Sequence, residues 1–127
     1  MQPNSFELIG RVNWIETKVL NSGKYMTKLL ISKKKNKEDF ESFGVTFFDS
    51  ETEKTAMLLA DNVTKGDYVY CTGRLSMNKY TLAGKERTET QLVGFSWDKV
   101  TYDENKKQYV KTNEDNQVDE EPEWMKN

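Results

Sequence analysis

Residues 56–80, AMLLADNVTKGDYVYCTGRLSMNKY, contain the change of hydrophobic period on which the fold turns. Ala56, Met57, Leu58, Leu59 and Ala60 group as in a short helix, and Ser50-Glu51-Thr52-Glu53 just ahead has the Ser-x-x-Glu form of a capping box. Lys65-Gly66-Asp67 is a turn signal. From Tyr68 the period becomes two, with Val69, Cys71 and Leu75 on one face and Tyr68, Tyr70, Thr72 and Arg74 on the other. A short helix therefore leads through a glycine turn into a half-buried strand.

Upstream, Phe6 to Leu20 reads as one long strand with Gly10 as an expected bulge or bend, closed by Asn21-Ser22-Gly23. A second strand is expected over about 25–32, a polar loop over 33–39, and a third strand over 40–48 with Phe40, Phe43, Phe47 and Phe48. Downstream, Leu82-Ala83-Gly84-Lys85 marks the tip of a long hairpin. A fifth strand follows over about 88–100, through Leu92, Val93, Phe95, Trp97 and Val100. Three strands, one helix and two strands is the order of an OB-fold, an all-β five-stranded Greek-key barrel with its helix between strands 3 and 4. A mixed α+β sandwich shares this order.

The chain has 127 residues, 35% of them hydrophobic and 31% charged, which suits one domain with one core. No run of about 18 apolar residues offers a membrane span, and Met1-Gln2-Pro3-Asn4 does not begin a secretory signal. The single cysteine, Cys71, excludes an internal disulfide and fits a reducing compartment, so the cytoplasm is expected. The net charge of −2 is unevenly distributed. Residues 1–100 hold 15 Lys and Arg against 13 Asp and Glu, a net +2, whereas residues 101–127 hold 4 against 8, a net −4. With apolar residues sparse after 102, the expectation is a domain over 1–102 and a flexible, disordered acidic tail over 103–127.

Enzymatic readings find no support. The chain has no histidine, hence no Ser-His-Asp or Cys-His arrangement and no histidine metal ligand, and Gly84-Lys85 lacks the preceding glycine of a phosphate-binding loop. No cofactor or metal is expected, and Cys71 reads as a small core hydrophobe.

The stretch from Ala56 to Tyr80 resembles the bacterial and bacteriophage single-stranded DNA-binding protein family. There a helix with an early alanine leads into Lys-Gly, an alternating strand, Gly-(Arg/Gln)-Leu and then an aromatic. Here these are Ala56, Lys65-Gly66, Gly73-Arg74-Leu75 and Tyr80. Asn4 and Leu8-Ile9-Gly10-Arg11-Val12 are similar to the family's first strand, and the likeness runs over roughly residues 4–100. The chain departs from the family in three ways. Phenylalanines stand where the family commonly has a stacking tryptophan in strand 3. The 33–39 loop is short and lysine-rich, and the acidic tail ends Glu123-Trp124-Met125-Lys126-Asn127 rather than in Pro-Phe. These departures suit a phage or mobile-element member.

Sequence-tolerant binding of single strands needs flat side chains to stack on bases and cations to follow phosphates. Aromatics make up 12% of the chain. Tyr80 aligns with a stacking position of the family. In strand 3, Val45 places its own parity in the core, which leaves Phe48 outward as the stacking candidate; a bulge at Gly44 would promote Phe43 instead. Trp14 and Phe40 are further candidates, Trp14 being read with Trp97 as core. The expected phosphate contacts are Arg11, Lys18 and Lys28 on the first two strands, Lys33, Lys34 and Lys35 at the loop, and Lys79, Lys85 and Arg87 on the hairpin. The resemblance further implies a homo-oligomer, a tetramer before a dimer, joined through the Tyr68, Tyr70 and Arg74 face. Replication or recombination proteins are expected to dock on the acidic tail.

The leading expectation is a non-enzymatic protein that coats and protects single-stranded DNA during replication and recombination. An OB-fold module binding RNA or a protein partner is the alternative, and an edge-pairing assembly protein a third.

Overall fold

The computed structural model describes residues 3–112. Its strands are β1 (Phe6–Val19), β2 (Tyr25–Lys34), β3 (Phe40–Phe48), β4 (Tyr68–Leu82), β5 (Lys85–Asp103) and β6 (Gln108–Lys111), with the helix α1 (Thr55–Asn62) between β3 and β4. The sheet order is β3-β2-β1-β4-β5-β6, and a short parallel pairing of β3 with β5, Val45 opposite Leu92 and Thr46 opposite Val93, closes the barrel. The all-β OB-fold with one short helix is therefore the architecture of this chain. No helix among the described residues is long and apolar enough to cross a membrane.

β1 serves both halves of the barrel. Phe6 to Arg11 pairs with β4, and Arg11 to Val19 pairs with β2. Gly10 stands at this change of partner, where a Cβ would lie 2.5 Å from Ile31 Cγ2 and 2.6 Å from the Ser32 carbonyl oxygen. The bulge expected at Gly10 falls instead at Asn13: Val12 pairs with Ile31 and Trp14 with Leu30. Both backbone polar groups of Val12 bond to the predicted turn, its N–H to the Asp67 carbonyl (2.8 Å) and its carbonyl to the Gly66 N–H (2.8 Å). The extra residue reverses the phase of β1, so Val12 is fully buried while Trp14 faces outward, 42% exposed, and is not the core residue the alternation predicts.

The core comprises Val12, Leu29, Ile31, Val45, Phe47, Ala56, Leu59, Val63, Val69 and Cys71, with Trp97 packed against it as expected. α1 closes one end through Ala56 and Leu59, and Thr27 Oγ1 donates to the Ala56 carbonyl at 2.8 Å. The expected capping box does not cap this helix. Ser50 Oγ accepts from Glu53 N–H at 3.0 Å in a turn ahead of it, and Asp49 at the end of β3 receives Ala56 N–H (2.7 Å) and Met57 N–H (3.1 Å) on Oδ1. Leu75, predicted on the core face, is exposed because β4 leaves the barrel after Gly73.

Beyond the barrel β4 and β5 continue as a two-stranded arm to Leu82 and Lys85, joined by Ala83 and Gly84, both at positive φ (52° and 78°). The long hairpin expected around Leu82–Lys85 pairs throughout, so β4 and β5 run on past the strand ends expected at about 75 and 88. Residues 103–112, within the span expected as the tail, form a turn and a sixth strand that adds to the sheet beside β5. Asp103 Oδ1 accepts from Asn105 and Lys106 N–H (2.9 and 3.2 Å), the chain turns, and β6 pairs with Val100 to Asp103 of β5. Residues 113–127, including the tip around Trp124, lie outside the described residues.

Candidate nucleic-acid interface

The cross-strand register lays out the outward face of β1, β2 and β3 in rows. Lys18, Met26 and Phe48 form the first; Glu16, Lys28 and Thr46 the second; Trp14, Leu30 and Gly44 the third. Arg11, Ser32 and Ser42 follow, and Lys34 faces Phe40 at the end. Directly opposed residues share a face, so this surface alternates rings and cations along its length. Phe48 (43% exposed) in the first row and Trp14 in the third present their rings to solvent, with Lys28 in the row between them. Gly44 makes room for that lysine: a Cβ there would stand 3.1 Å from Lys28 Cε.

The expected binding residues divide accordingly. Arg11, Lys18, Lys28, Lys34 and Phe48 come together on this face. β2 and β3 pair without a register break, so Gly44 carries no bulge and Phe43 remains on the core parity opposite Ile31, partly buried. Lys33 is also on that parity, opposite Glu41, while Lys35 starts the loop, its N–H donating to the Asp39 carbonyl at 2.9 Å. On the arm Tyr80 lies directly opposite Arg87 and Leu82 opposite Lys85, all on one face; Lys79 is on the other, opposite Thr88. Only Lys18 among the predicted cations has an acidic partner among the described residues, Glu16 at 3.5 Å. The remaining charges are available to an anion.

Tyr68, Tyr70 and Arg74 share the outward parity of β4, but two of them are engaged within the chain. The Tyr68 ring stacks with Tyr109 of β6 (centroids 6.2 Å apart), and Tyr109 meets Tyr102 edge-on at 5.3 Å. The Tyr70 hydroxyl donates to Glu7, which, with burial, pushes its pKa above the ordinary tyrosine value. Cys71 is buried behind this face, and burial, followed by the charge of Asp98, pushes its thiol up to about 12.

Sequence reasoning names Trp14 only as a further stacking candidate, read with Trp97 as core, and misses Tyr109 altogether. Nothing in the alternation reveals the phase reversal that turns Trp14 outward. Tyr109 does have a local signal, the Asp103-to-Lys107 turn before a short alternating stretch, Gln108-Tyr109-Val110-Lys111.

Comparison with solved structures places the fold among single-stranded DNA-binding proteins. A Plasmodium falciparum SSB, solved in complex with ssDNA, superposes with a TM-score of 0.65 at 19% sequence identity, covering 80% of this chain and 97% of that one. A mitochondrial single-stranded DNA-binding protein from S. cerevisiae gives 0.59 at 19% identity, covering 78% and 96%. Comparison with curated protein sequences returns no significant match. The model of the Single-strand binding protein family matches residues 3–98, the span from the start of the described chain to the end of the closed barrel, and the chain belongs to that family.

Proposed function

We propose that this chain binds single-stranded DNA without sequence preference, coating and protecting it during replication and recombination. The reading is carried by the outward face of β1, β2 and β3, where Phe48 and Trp14 flank Lys28 and lead to Arg11 and Lys34, in a chain of the single-strand binding family. Bases stack on the rings and phosphates meet the cations, so no reaction is catalysed and affinity falls with salt. Tyr80, Arg87 and Lys85 extend the contact along the arm, with Lys79 on its reverse. Lys33, Lys35 and Phe43 act at the margins of the face.

Titration of labelled oligo-dT and of the equivalent duplex tests this. Strong binding to the single strand alone is expected, and equal binding to both, or none, sinks it. Competition by oligo-U separates an RNA-binding module from a DNA-binding one.

The subunits join as a homo-oligomer through the outward face of β4. That contact centres on Tyr70 and Arg74, since Tyr68 is stacked under Tyr109. Molar mass from light scattering checks it, with a tetramer expected before a dimer. The acidic residues of 113–127 compete with DNA for the cationic face and dock replication or recombination proteins. A chain ending at residue 112 keeps β6 and is expected to bind DNA at least as tightly. A phage or mobile-element origin and action in the bacterial host cytoplasm fit the departures from the family pattern.

A further inference from the structure

Asn4, just ahead of β1, grips β4 from a distance of 71 residues in sequence. Its Nδ2 donates to the Leu75 carbonyl at 3.1 Å and its Oδ1 accepts from the Leu75 N–H at 2.9 Å. The β1–β4 register ends with Phe6 opposite Gly73, and continued by two residues it would set residue 4 opposite residue 75. The backbone bends at Pro3 and Asn4 instead of continuing the strand. The side-chain amide, with the donor and acceptor of a peptide group, supplies that rung in its place. The contact lies on the β4 side of β1, so it holds whatever pairs with the other edge of that strand.

Leu75 is where the arm leaves the barrel. Thr72 pairs with Ser96 and Gly73 with Gly94, so Phe95 is the extra residue of a bulge at this point. The Phe6 ring lies against Gly73, where a Cβ would stand 2.6 Å from its Cε2. On the β5 side the base of the arm is held through Leu92 and Val93, which pair with β3. Asn4 is the matching tie on the β4 side. Beyond Leu75, β4 pairs with β5 alone among the described residues. A two-stranded ribbon is marginal by itself, so the direction of the arm is set at its base. Tyr80 is about 17 Å further along the strand, and a swing of about 10° at Leu75 would move it about 3 Å, enough to take its ring off a base.

We propose that Asn4 is a positioning residue for DNA: through Leu75 it fixes the direction of the arm, so that Tyr80 and Arg87 meet the strand held on the β1–β3 face. The inference rests on the single-stranded DNA reading above, in which the arm extends the contact. It adds a residue that belongs to neither surface.

The test uses the full chain and a ladder of oligo-dT lengths, the shortest able to cover only the β1–β3 face. Tyr80→Ala measures the share of the arm and is expected to weaken the longer oligonucleotides at least about fivefold. Asn4→Ala is expected to do the same while leaving the shortest bound as in wild type. Adding Tyr80→Ala to Asn4→Ala should then bring little further loss. Asn4→Gln carries the same amide and should restore binding of the longer oligonucleotides. Asn4→Asp sets a carboxylate oxygen against the Leu75 carbonyl and should not. Without DNA, the Leu75 N–H is expected to lose protection from hydrogen exchange in Asn4→Ala and to keep it in Asn4→Gln. Equal losses on short and long oligonucleotides, or additive losses in the double variant, make Asn4 a stabilising cap alone and overturn the proposal. So does unchanged binding of long oligonucleotides by either single variant. If wild type binds no oligo-dT at all, the underlying DNA reading fails first, and hydrogen exchange still decides whether Asn4 holds the arm.

Discussion

The ring of Phe47 lies against Gly94: a Cβ on that glycine would stand 2.2 Å from Phe47 Cε2 and 2.4 Å from Cζ. Phe47 is among the largest fully buried side chains, and β5 reaches it where Gly94 opposes Gly73 across the β4–β5 pair. The barrel can close through the β3–β5 pairing only if β5 approaches this closely. Gly94→Ala is therefore expected to displace the ring and cost about 1–3 kcal/mol, read as a lower midpoint in urea.

Phe48 and Phe43 are five residues apart on one strand yet have opposite outlooks. Phe48→Ala is expected to lower oligo-dT affinity about 5- to 150-fold, for a stacked base worth about 1–3 kcal/mol, with little loss of stability. Phe43→Ala should show the reverse balance, because that ring is partly buried opposite Ile31. Paired oligo-dT titrations and denaturation curves decide it.

Salt dependence separates the cations. Each phosphate neutralised on a single strand contributes a slope of about 0.7 in log K against log salt. Lys28→Gln and Lys34→Gln are each expected to reduce the slope by roughly that amount. Lys18→Gln should reduce it less, since Glu16 already holds that ammonium at 3.5 Å.

Asp49 acts on α1 from the end of β3. Asp49→Ala removes the acceptor of two helix N–H groups and is expected to cost about 1–2 kcal/mol, whereas Asp49→Asn keeps an oxygen there and should cost less. Ser50→Ala, in spite of its position in a capping-box pattern, is expected to cost less than Asp49→Ala. Thermal denaturation of the three variants ranks them.

Cys71 should make the fold sensitive to alkali. The thiol ionises near 9.0 when exposed and is pushed up to about 12 in the barrel. Below pH 9 both states keep the proton and the contribution to stability is complete. Between 9 and about 12 only the unfolded chain releases it, so stability falls by about 1.4 kcal/mol per pH unit. Cys71→Val should remove that portion of the slope, measured as unfolding free energy against pH. Thiol reagents at pH 8 are expected to react only after unfolding.

How far the fold could be read from the sequence depended on the reach of each interaction. The Lys65–Asp67 turn, the Ala83-Gly84 tip and the burial of Cys71 follow from neighbouring residues and period, and all appear as expected. Trp14 does not, because its outward direction depends on a bulge at Asn13 stabilised by the turn at Gly66–Asp67, more than fifty residues away. Asp49 goes unnoticed as a cap because a nearer motif, Ser50 to Glu53, matches the local pattern better. β6 is four residues long and has too little apolar surface to be recognised without β5 beside it. In the candidate site, the grouping of Lys18, Lys28 and Phe48 on one face was legible, whereas the stacking of Tyr68 with Tyr109 of β6 was not.

The division of β1 between two partners also sets an order of assembly during synthesis. Its C-terminal half pairs with β2, only a short turn away, so the β1–β2–β3 face rests on local contacts and forms early. Its N-terminal half must wait for β4, and Phe47 for Gly94. A nascent chain therefore displays its nucleic-acid face while its barrel still gapes, and the apolar lining stays open to chaperones until residues 92–94 have left the ribosome.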